Sequence, residues 1–194
     1  MDINKFKKNI LDAKQSNDIA LFRDLFPTVP TWDEFILNLN YEFNSQKTID
    51  IDDQRFHNNV LIYNKLDPIS FKKIDLTKNS SSNIFKKSYN IFDIMDNFIK
   101  NISCTKSIVN FVGNESKYYI HADHHDVISW HCIGQVEWRI YKTLEQEHPP
   151  PIETNEPYES YILNPGDVLF VPGGIVHQVV VTEPRASVLF NIYF

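Results

Sequence analysis

Leu163-Asn164-Pro165-Gly166-Asp167-Val168-Leu169-Phe170-Val171-Pro172-Gly173-Gly174-Ile175-Val176-His177 reads as a turn, a strand, a second turn and the start of another strand. Pro165-Gly166 is a turn signal, because proline fixes φ and glycine tolerates positive φ. Val168 to Val171 is apolar and too short for a helix. Pro172-Gly173-Gly174 then turns the chain tightly, and His177 opens the next strand. A chain that doubles back this sharply is building a sandwich or a barrel.

The same pattern extends on both sides. Strands are predicted over 106–112, 117–122, 127–133, 135–142, 158–163, 167–171, 176–182 and 186–193. Gly113-Asn114, Gly134, Pro165-Gly166, Gly173-Gly174 and Glu183-Pro184 punctuate them. Eight such strands make a jelly roll, so the fold class is mainly β. The one long connection, 144–157, is acidic and contains Pro149-Pro150-Pro151. Long connections in compact domains are often functional.

The first half differs. Apolar residues Ile3, Phe6, Ile10, Leu11, Ile19, Phe22 and Leu25 recur at helical spacing, which predicts a helix over 3–25. Thr31 is a plausible N-cap for a second helix. A strand is expected over 59–65, a polar surface loop over 76–90 and an amphipathic helix over 91–99. In the last strand Val188, Phe190, Ile192 and Phe194 share one apolar face that needs a cover. The N-terminal helices supply it from outside the barrel. Residues 1–194 therefore read as one domain, with a mostly helical region over 1–104 and a jelly-roll core over 105–194.

The net charge of −6 on 194 residues disfavours nucleic acid as a partner, since phosphate binding needs clustered lysine and arginine. Cys104 and Cys132 form no Cys-x-x-Cys pattern and read as buried thiols in a reducing compartment. The N-terminus lacks a signal peptide, and no run reaches the roughly 18 apolar residues of a membrane span. The expectation is a cytoplasmic protein.

The chemistry concentrates in Tyr118-Tyr119-Ile120-His121-Ala122-Asp123-His124-His125-Asp126. Residues two apart on a strand project to one face, so His121 and Asp123 would share a site. Two histidines and one carboxylate are the diagnostic donors of non-haem iron(II) oxygenases. His177 is the best third donor, since the Pro-Gly-Gly turn can carry it back across the barrel. His57 and His148 read as ordinary surface or core residues. His124, His125 and His131 compete for the role, and His125 shares the parity of His121.

At these residues the sequence resembles the JmjC-like and cupin-like 2-oxoglutarate oxygenases, over roughly Val109 to Phe194. Phe111-Val112-Gly113 followed by His121-Ala122-Asp123 is similar to one block of the family. Asp126-Val127-Ile128 through Gly134 to Trp138-Arg139-Ile140-Tyr141 is similar to a second. Pro165 to Gly173 and then His177 is similar to a third, and Val188 to Phe194 looks like the family's last strand. The resemblance implies a double-stranded β-helix of cupin type. It implies iron(II) held by His121, Asp123 and His177, with 2-oxoglutarate as co-substrate. The implied reaction couples decarboxylation of 2-oxoglutarate to hydroxylation of a substrate C–H bond.

The sequence departs from the family at one informative place. A lysine or arginine just after the Gly turn ordinarily pairs with the distal carboxylate of 2-oxoglutarate, and Val136 stands there. The family's threonine three residues before the first histidine is replaced by Tyr118. Other branches of the superfamily place an arginine after the distal histidine, often followed by x-Ser. Arg185 and Ser187 match that pattern, and Arg185 shares strand parity with Asn191. Arg185 is therefore the expected carboxylate anchor, with Asn191 and Tyr118 or Tyr119 assisting. Two alternatives stand beside this reading, the first of them motivated by Val136. One is a metal-dependent cupin enzyme that does not use 2-oxoglutarate, and the other is an inactive barrel serving as an interaction module. A protein, peptide or small-molecule substrate is compatible with the sequence.

Overall fold

Helix α1 (Ile3–Ser16) forms where the apolar spacing predicts it, burying Phe6, Ile10 and Ala13 along one face, but it stops well short of residue 25. Asn17 takes a positive φ of 54°. Its N–H donates to the Lys14 carbonyl at 3.2 Å, and the Asp18 N–H donates to the Ala13 carbonyl at 2.9 Å. These two bonds form a Schellman closure, for which asparagine is one of the few suitable residues after glycine. Beyond it the chain enters strand β1 (Ala20–Phe22), whose residues pair antiparallel with Val168–Phe170. The helix expected over 3–25 is thus a helix followed by a strand. The sheet edge at residues 168–170 offers residues 20 to 22 ladder hydrogen bonds that a continued helix would forgo.

The computed structural model describes residues 3–37, 50–51, 56–57, 60–61, 69–74, 91, 94–95, 102–110, 116–117, 119–146, 151 and 153–192. Residues 32–37 are helical. Thr31 caps them in a box: its N–H donates to Glu34 Oε2 at 2.8 Å, and the Glu34 N–H donates to Thr31 Oγ1 at 3.3 Å. Residues 91, 94 and 95 are helical and buried. The loop expected over 76–90 lies outside the described residues.

The remaining strands are β2 (Asp50–Ile51), β3 (Phe56–His57), β4 (Val60–Leu61), β5 (Ile69–Ile74), β6 (Ile102–Asn110), β7 (Ser116–Lys117), β8 (His121–Ala122), β9 (Asp126–Ile133), β10 (Val136–Tyr141), β11 (Glu159–Leu163), β12 (Val168–Val171), β13 (Val176–Val181) and β14 (Arg185–Ile192). They form two facing sheets. One runs β1-β12-β9-β14-β6-β5-β2, and the other runs β11-β10-β13-β7 with β8 also on β13. β3 and β4 pair separately. The predicted strand over 117–122 is two short strands, β7 and β8, both on β13. Of the strand expected over 59–65, Val60–Leu61 is strand and the rest falls outside the described residues. β2 and β5 extend the first sheet from within the N-terminal region, where the sequence predicted mostly helix.

Alternation along the strands builds two apolar layers. Val127, Leu169, Val171 and Leu189 of the first sheet meet Val136, Trp138, Ile140, Leu163, Val179 and Val181 of the second. The back of the first sheet carries Ile128, Trp130, Val168, Phe170, Val188, Phe190 and Ile192. These pack with Phe6, Ile10, Phe26, Phe35, Ile91 and Met95 of the N-terminal region. At about 1.5–3 kcal/mol per buried large side chain, this second layer is a substantial share of the folding free energy. The result is the expected mainly β double-stranded β-helix, with helical segments on its outside.

Two buried aspartates tie the layers. Asp126 pairs with Lys14 of α1 at 2.7 Å and accepts the Gly173 N–H at 2.7 Å. Asp167 accepts from Arg23 Nη1 at 2.7 Å, the Asp24 N–H at 2.8 Å and the Asn164 N–H at 3.0 Å. The Pro-Gly-Asp signal therefore clamps the N-terminal segment onto the β11–β12 turn. Among the described residues, no helix is long and apolar enough to cross a membrane.

Candidate metal centre

The short strand β8 and the start of β13 bring the three expected donors together. His177 and His121 are register partners. Asp123 follows β8 directly, and its carbonyl accepts the Gly174 N–H at 2.8 Å. The Pro172-Gly173-Gly174 turn thus lies against the loop that carries Asp123. Gly173 makes this approach possible, because a Cβ there would meet the His125 backbone at 3.0 Å. One ligand atom from each of His121, Asp123 and His177 lies within 4.8 Å of the others. His177 Nε2 is 3.7 Å from Asp123 Oδ2, and His121 Nε2 is 4.0 Å from Asp123 Oδ1.

Main-chain carbonyls set both tautomers. His121 Nδ1 lies 2.8 Å from the Tyr119 carbonyl oxygen, and His177 Nδ1 lies 2.9 Å from the Ile175 carbonyl oxygen. A carbonyl only accepts, so each Nδ1 carries the proton and each Nε2 lone pair faces Asp123. His177 is buried, and burial pushes its pKa down to about 4, with His121 adding to the fall and Asp123 opposing it. The ring is therefore neutral at physiological pH, as a ligand must be. The Trp138 ring stacks on it with centroids 5.1 Å apart. Two neutral imidazole nitrogens and one carboxylate fit a first-row divalent ion. His124 is exposed and His125 half-buried, and neither belongs to this cluster.

The inward-facing residues descend from the triad in levels. In the second sheet, His177 and Ile140 are followed by Val179 and Trp138, then by Val181 and Val136. In the first sheet, Asn191 and Val127 adjoin the Asp123–Asp126 loop. Leu189 and Ser129 follow, then Ser187 and His131. Arg185 lies one step further along β14. Val136, at the position where the resemblance led us to expect a cation, is fully buried in the apolar cluster between the sheets.

Arg185 is buried, and its Nη1 donates to Ser187 Oγ at 3.2 Å. Ser187 Oγ lies 2.9 Å from His131 Nδ1, and His131 Nε2 lies 2.9 Å from the Gly134 carbonyl oxygen. That carbonyl requires the proton on Nε2, so the Ser187 hydroxyl donates to Nδ1 and its oxygen accepts from Arg185. Gly134 makes the β9–β10 turn at φ 73°, and a Cβ there would collide with the Pro184 carbonyl. Burial pulls the Arg185 pKa down to about 10. Burial, with Arg185 nearby, pulls His131 down to about 4, while the Gly134 carbonyl and Asp167 oppose this.

Of the other expected contacts, Asn191 is buried at the triad end of the barrel, and Tyr118 lies outside the described residues. Tyr119 is exposed and contributes its carbonyl to His121. His131, a competing ligand in the sequence, belongs to the Arg185 network instead. Arg139 faces outward, with its Nε 2.9 Å from Glu137 Oε2 and its guanidinium over the Tyr158 ring. A polar cavity of about 390 Å³ on this outer face is lined by Arg139, Gln178 and residues of the 144–157 connection.

A 69-residue segment is 35% identical to the bifunctional lysine-specific demethylase and histidyl-hydroxylase NO66 of Dictyostelium discoideum, covering 31% of this chain and 13% of that protein. The fold matches the crystal structure of YcfD from Escherichia coli with a TM-score of 0.65 at 14% identity, over 96% of this chain and 52% of that one. A second YcfD structure, a ribosomal oxygenase in complex with cobalt and succinic acid, matches with a TM-score of 0.58 at 12% identity, over 96% and 51%. The chain thus spans about half of YcfD and a small part of NO66. The JmjC domain family matches residues 80–193, more than half of the chain and the whole of β6 to β14, and the protein belongs to that family.

Proposed function

We propose that this protein is an iron(II)- and 2-oxoglutarate-dependent oxygenase that hydroxylates a C–H bond. The observation that carries the proposal is the converged donor set of His121, Asp123 and His177 with both Nε2 lone pairs turned inward. When bound, iron(II) with 2-oxoglutarate and oxygen supplies the oxidising chemistry, giving succinate, carbon dioxide and a hydroxylated product. His121, Asp123 and His177 hold the metal. Trp138, stacked on His177, fixes that ring and keeps water from its inner side. Arg185, whose guanidinium is held at the level of Ser187, anchors the distal carboxylate from the sheet opposite Val136. Asn191, buried at the triad end of the barrel, adds a co-substrate contact. A protein or peptide side chain is the first choice of substrate class, because NO66 is named a lysine-specific demethylase and histidyl-hydroxylase and YcfD a ribosomal oxygenase. A small molecule is the second.

The test adds 2-oxoglutarate to the anaerobic iron(II) form and looks for a visible charge-transfer band. Succinate release is then measured with candidate substrates. A protein that binds iron and gives neither band nor succinate would support a second reading, a metal-dependent cupin enzyme without 2-oxoglutarate. The burial of Val136 among apolar side chains is the observation favouring it.

A further inference from the structure

Two polar atoms in the barrel interior have no hydrogen-bond partner among the described residues: Trp138 Nε1 and Ser129 Oγ. Both side chains are buried, at 3% and 0% exposure. An unpaired buried donor costs about 1–3 kcal/mol, so native interiors rarely leave one unmet. These two occupy corresponding positions. Trp138 is one inward residue below Ile140, the register partner of His177. Ser129 is one inward residue below Val127, the register partner of Asn191. Each therefore lies a two-residue step, roughly 7 Å, below the triad end, on facing sheets.

Val179 and Leu189, the register partners of Trp138 and Ser129, are 8% and 9% exposed, whereas Val136, Val181 and Leu163 one level deeper are at 0–2%. The level carries two unmet groups, an indole N–H, which only donates, and a hydroxyl, which can donate.

We propose that Trp138 Nε1–H and Ser129 Oγ–H are a pair of neutral donors for a carboxylate of the co-substrate, gripping it from opposite sheets one level below the metal triad. The inference rests on the oxygenase function proposed above and adds residues to its co-substrate site. A carboxylate fits, because it presents several lone pairs and no proton at neutral pH. A five-carbon dicarboxylate chelated at the triad by its 2-oxo end would extend its far carboxylate down the barrel toward these donors. The neutral pair lies on the path to the Arg185 guanidinium, so the carboxylate would meet hydrogen-bond donors before and beside the cation. This contact is compatible with an apolar Val136.

The experiment is an anaerobic calorimetric titration of 2-oxoglutarate, and separately of succinate, into the iron(II)-loaded full chain. Wild type is compared with Trp138→Phe and Ser129→Ala. Iron(II) affinity is measured first for each protein, and indole fluorescence follows the same titrations. Trp138→Phe keeps an aromatic ring against His177 while removing the N–H. It should bind 2-oxoglutarate about ten- to a hundredfold more weakly, and Ser129→Ala about three- to thirtyfold more weakly, the range for hydrogen bonds to a charged group. Iron(II) affinity should stay within about threefold of wild type. If Trp138→Phe does not fold, Ser129→Ala, a near-isosteric change, decides the question. Wild-type dicarboxylate affinity in both variants, or in Ser129→Ala if it alone folds, would overturn the donor pair and leave the oxygenase assignment standing. Weaker binding that merely follows weaker iron binding would also overturn it. An iron-loaded wild type that binds neither acid would remove both the pair and the co-substrate assignment.

Discussion

His121 and His177 are register partners across β8 and β13, with ring centroids 4.5 Å apart and each Nδ1 committed to the carbonyl two residues before it. The pairing makes a direct prediction for metal binding. His121→Ala, Asp123→Ala and His177→Ala should each weaken iron(II) binding at least a hundredfold, while the fold survives in circular dichroism. His124→Ala and His125→Ala should bind within severalfold of wild type. Loss of metal in His125→Ala with retention in His121→Ala would show that the other histidine of matching parity is the ligand.

The layer behind the first sheet makes the second prediction. Phe6 and Ile10 of α1 share one buried cluster with Val188, Phe190 and Ile192 of β14. Phe6→Ala should cost about 3–5 kcal/mol, measured by urea denaturation. A fragment of residues 105–194 should be insoluble or molten, because that apolar face loses its cover. That outcome would make residues 1–194 one folding unit. A soluble fragment that unfolds cooperatively would sink this view.

The strand order after residue 105 was legible because Pro-Gly and Gly-Gly turns break the chain at fixed intervals and the strands alternate between two faces. The parity of β14 was legible for the same reason: Val188 and Phe190 back onto α1 while Leu189 faces the other sheet. The end of α1 was harder, because Ile19, Phe22 and Leu25 continue a helical spacing while belonging to a turn and a strand. Asn17 was the local signal, and its weight depends on β12 offering a sheet edge. The histidine tautomers had no sequence signal, since main-chain carbonyls set them. Parity also could not show where along the barrel a residue lies. Arg185 and Asn191 share a face, yet six residues of strand, roughly 20 Å, separate their backbones. They can serve opposite ends of a ligand, but not one carboxylate.

A pH prediction follows from His131. Burial lowers its pKa from 6.5 to about 4 in the folded protein. Between these values the unfolded chain takes up a proton and the folded chain does not. The neutral ring's contribution is therefore intact above about pH 6.5 and is lost as the pH falls toward 4, to a total of about 3 kcal/mol. Arg185 and Asp167 are the charged groups acting on the ring. Stability of wild type and His131→Asn should be compared by urea denaturation between pH 7 and 4.5. The gap between them should narrow on acidification. A constant gap across that range would mean that His131 does not titrate as its surroundings dictate.

The last prediction concerns the cation. A dicarboxylate held inside a barrel needs a compensating charge, because an unpaired buried carboxylate costs several kcal/mol. Val136 supplies none. Arg185 is buried on β14 and bonded to Ser187, which lies at the same depth in the first sheet as Val136 in the second. Its planar fork can bind a carboxylate while keeping the bond to Ser187, and the Ser187–His131–Gly134 chain holds it in one orientation. Arg185→Met should therefore weaken 2-oxoglutarate binding to the iron-loaded protein by about 2–5 kcal/mol. Iron affinity should be nearly unchanged. Two controls bracket the result. Arg139 is engaged by Glu137 and Tyr158 on the outer face, so Arg139→Met should bind like wild type. Lys106 pairs in register with Leu189, between the levels of Arg185 and Asn191, and is a second cation to vary. A large loss in Lys106→Met beside an unaltered Arg185→Met would move the anchor from β14 to β6. A large loss in Arg139→Met would mean that β10 presents its other face to the ligand.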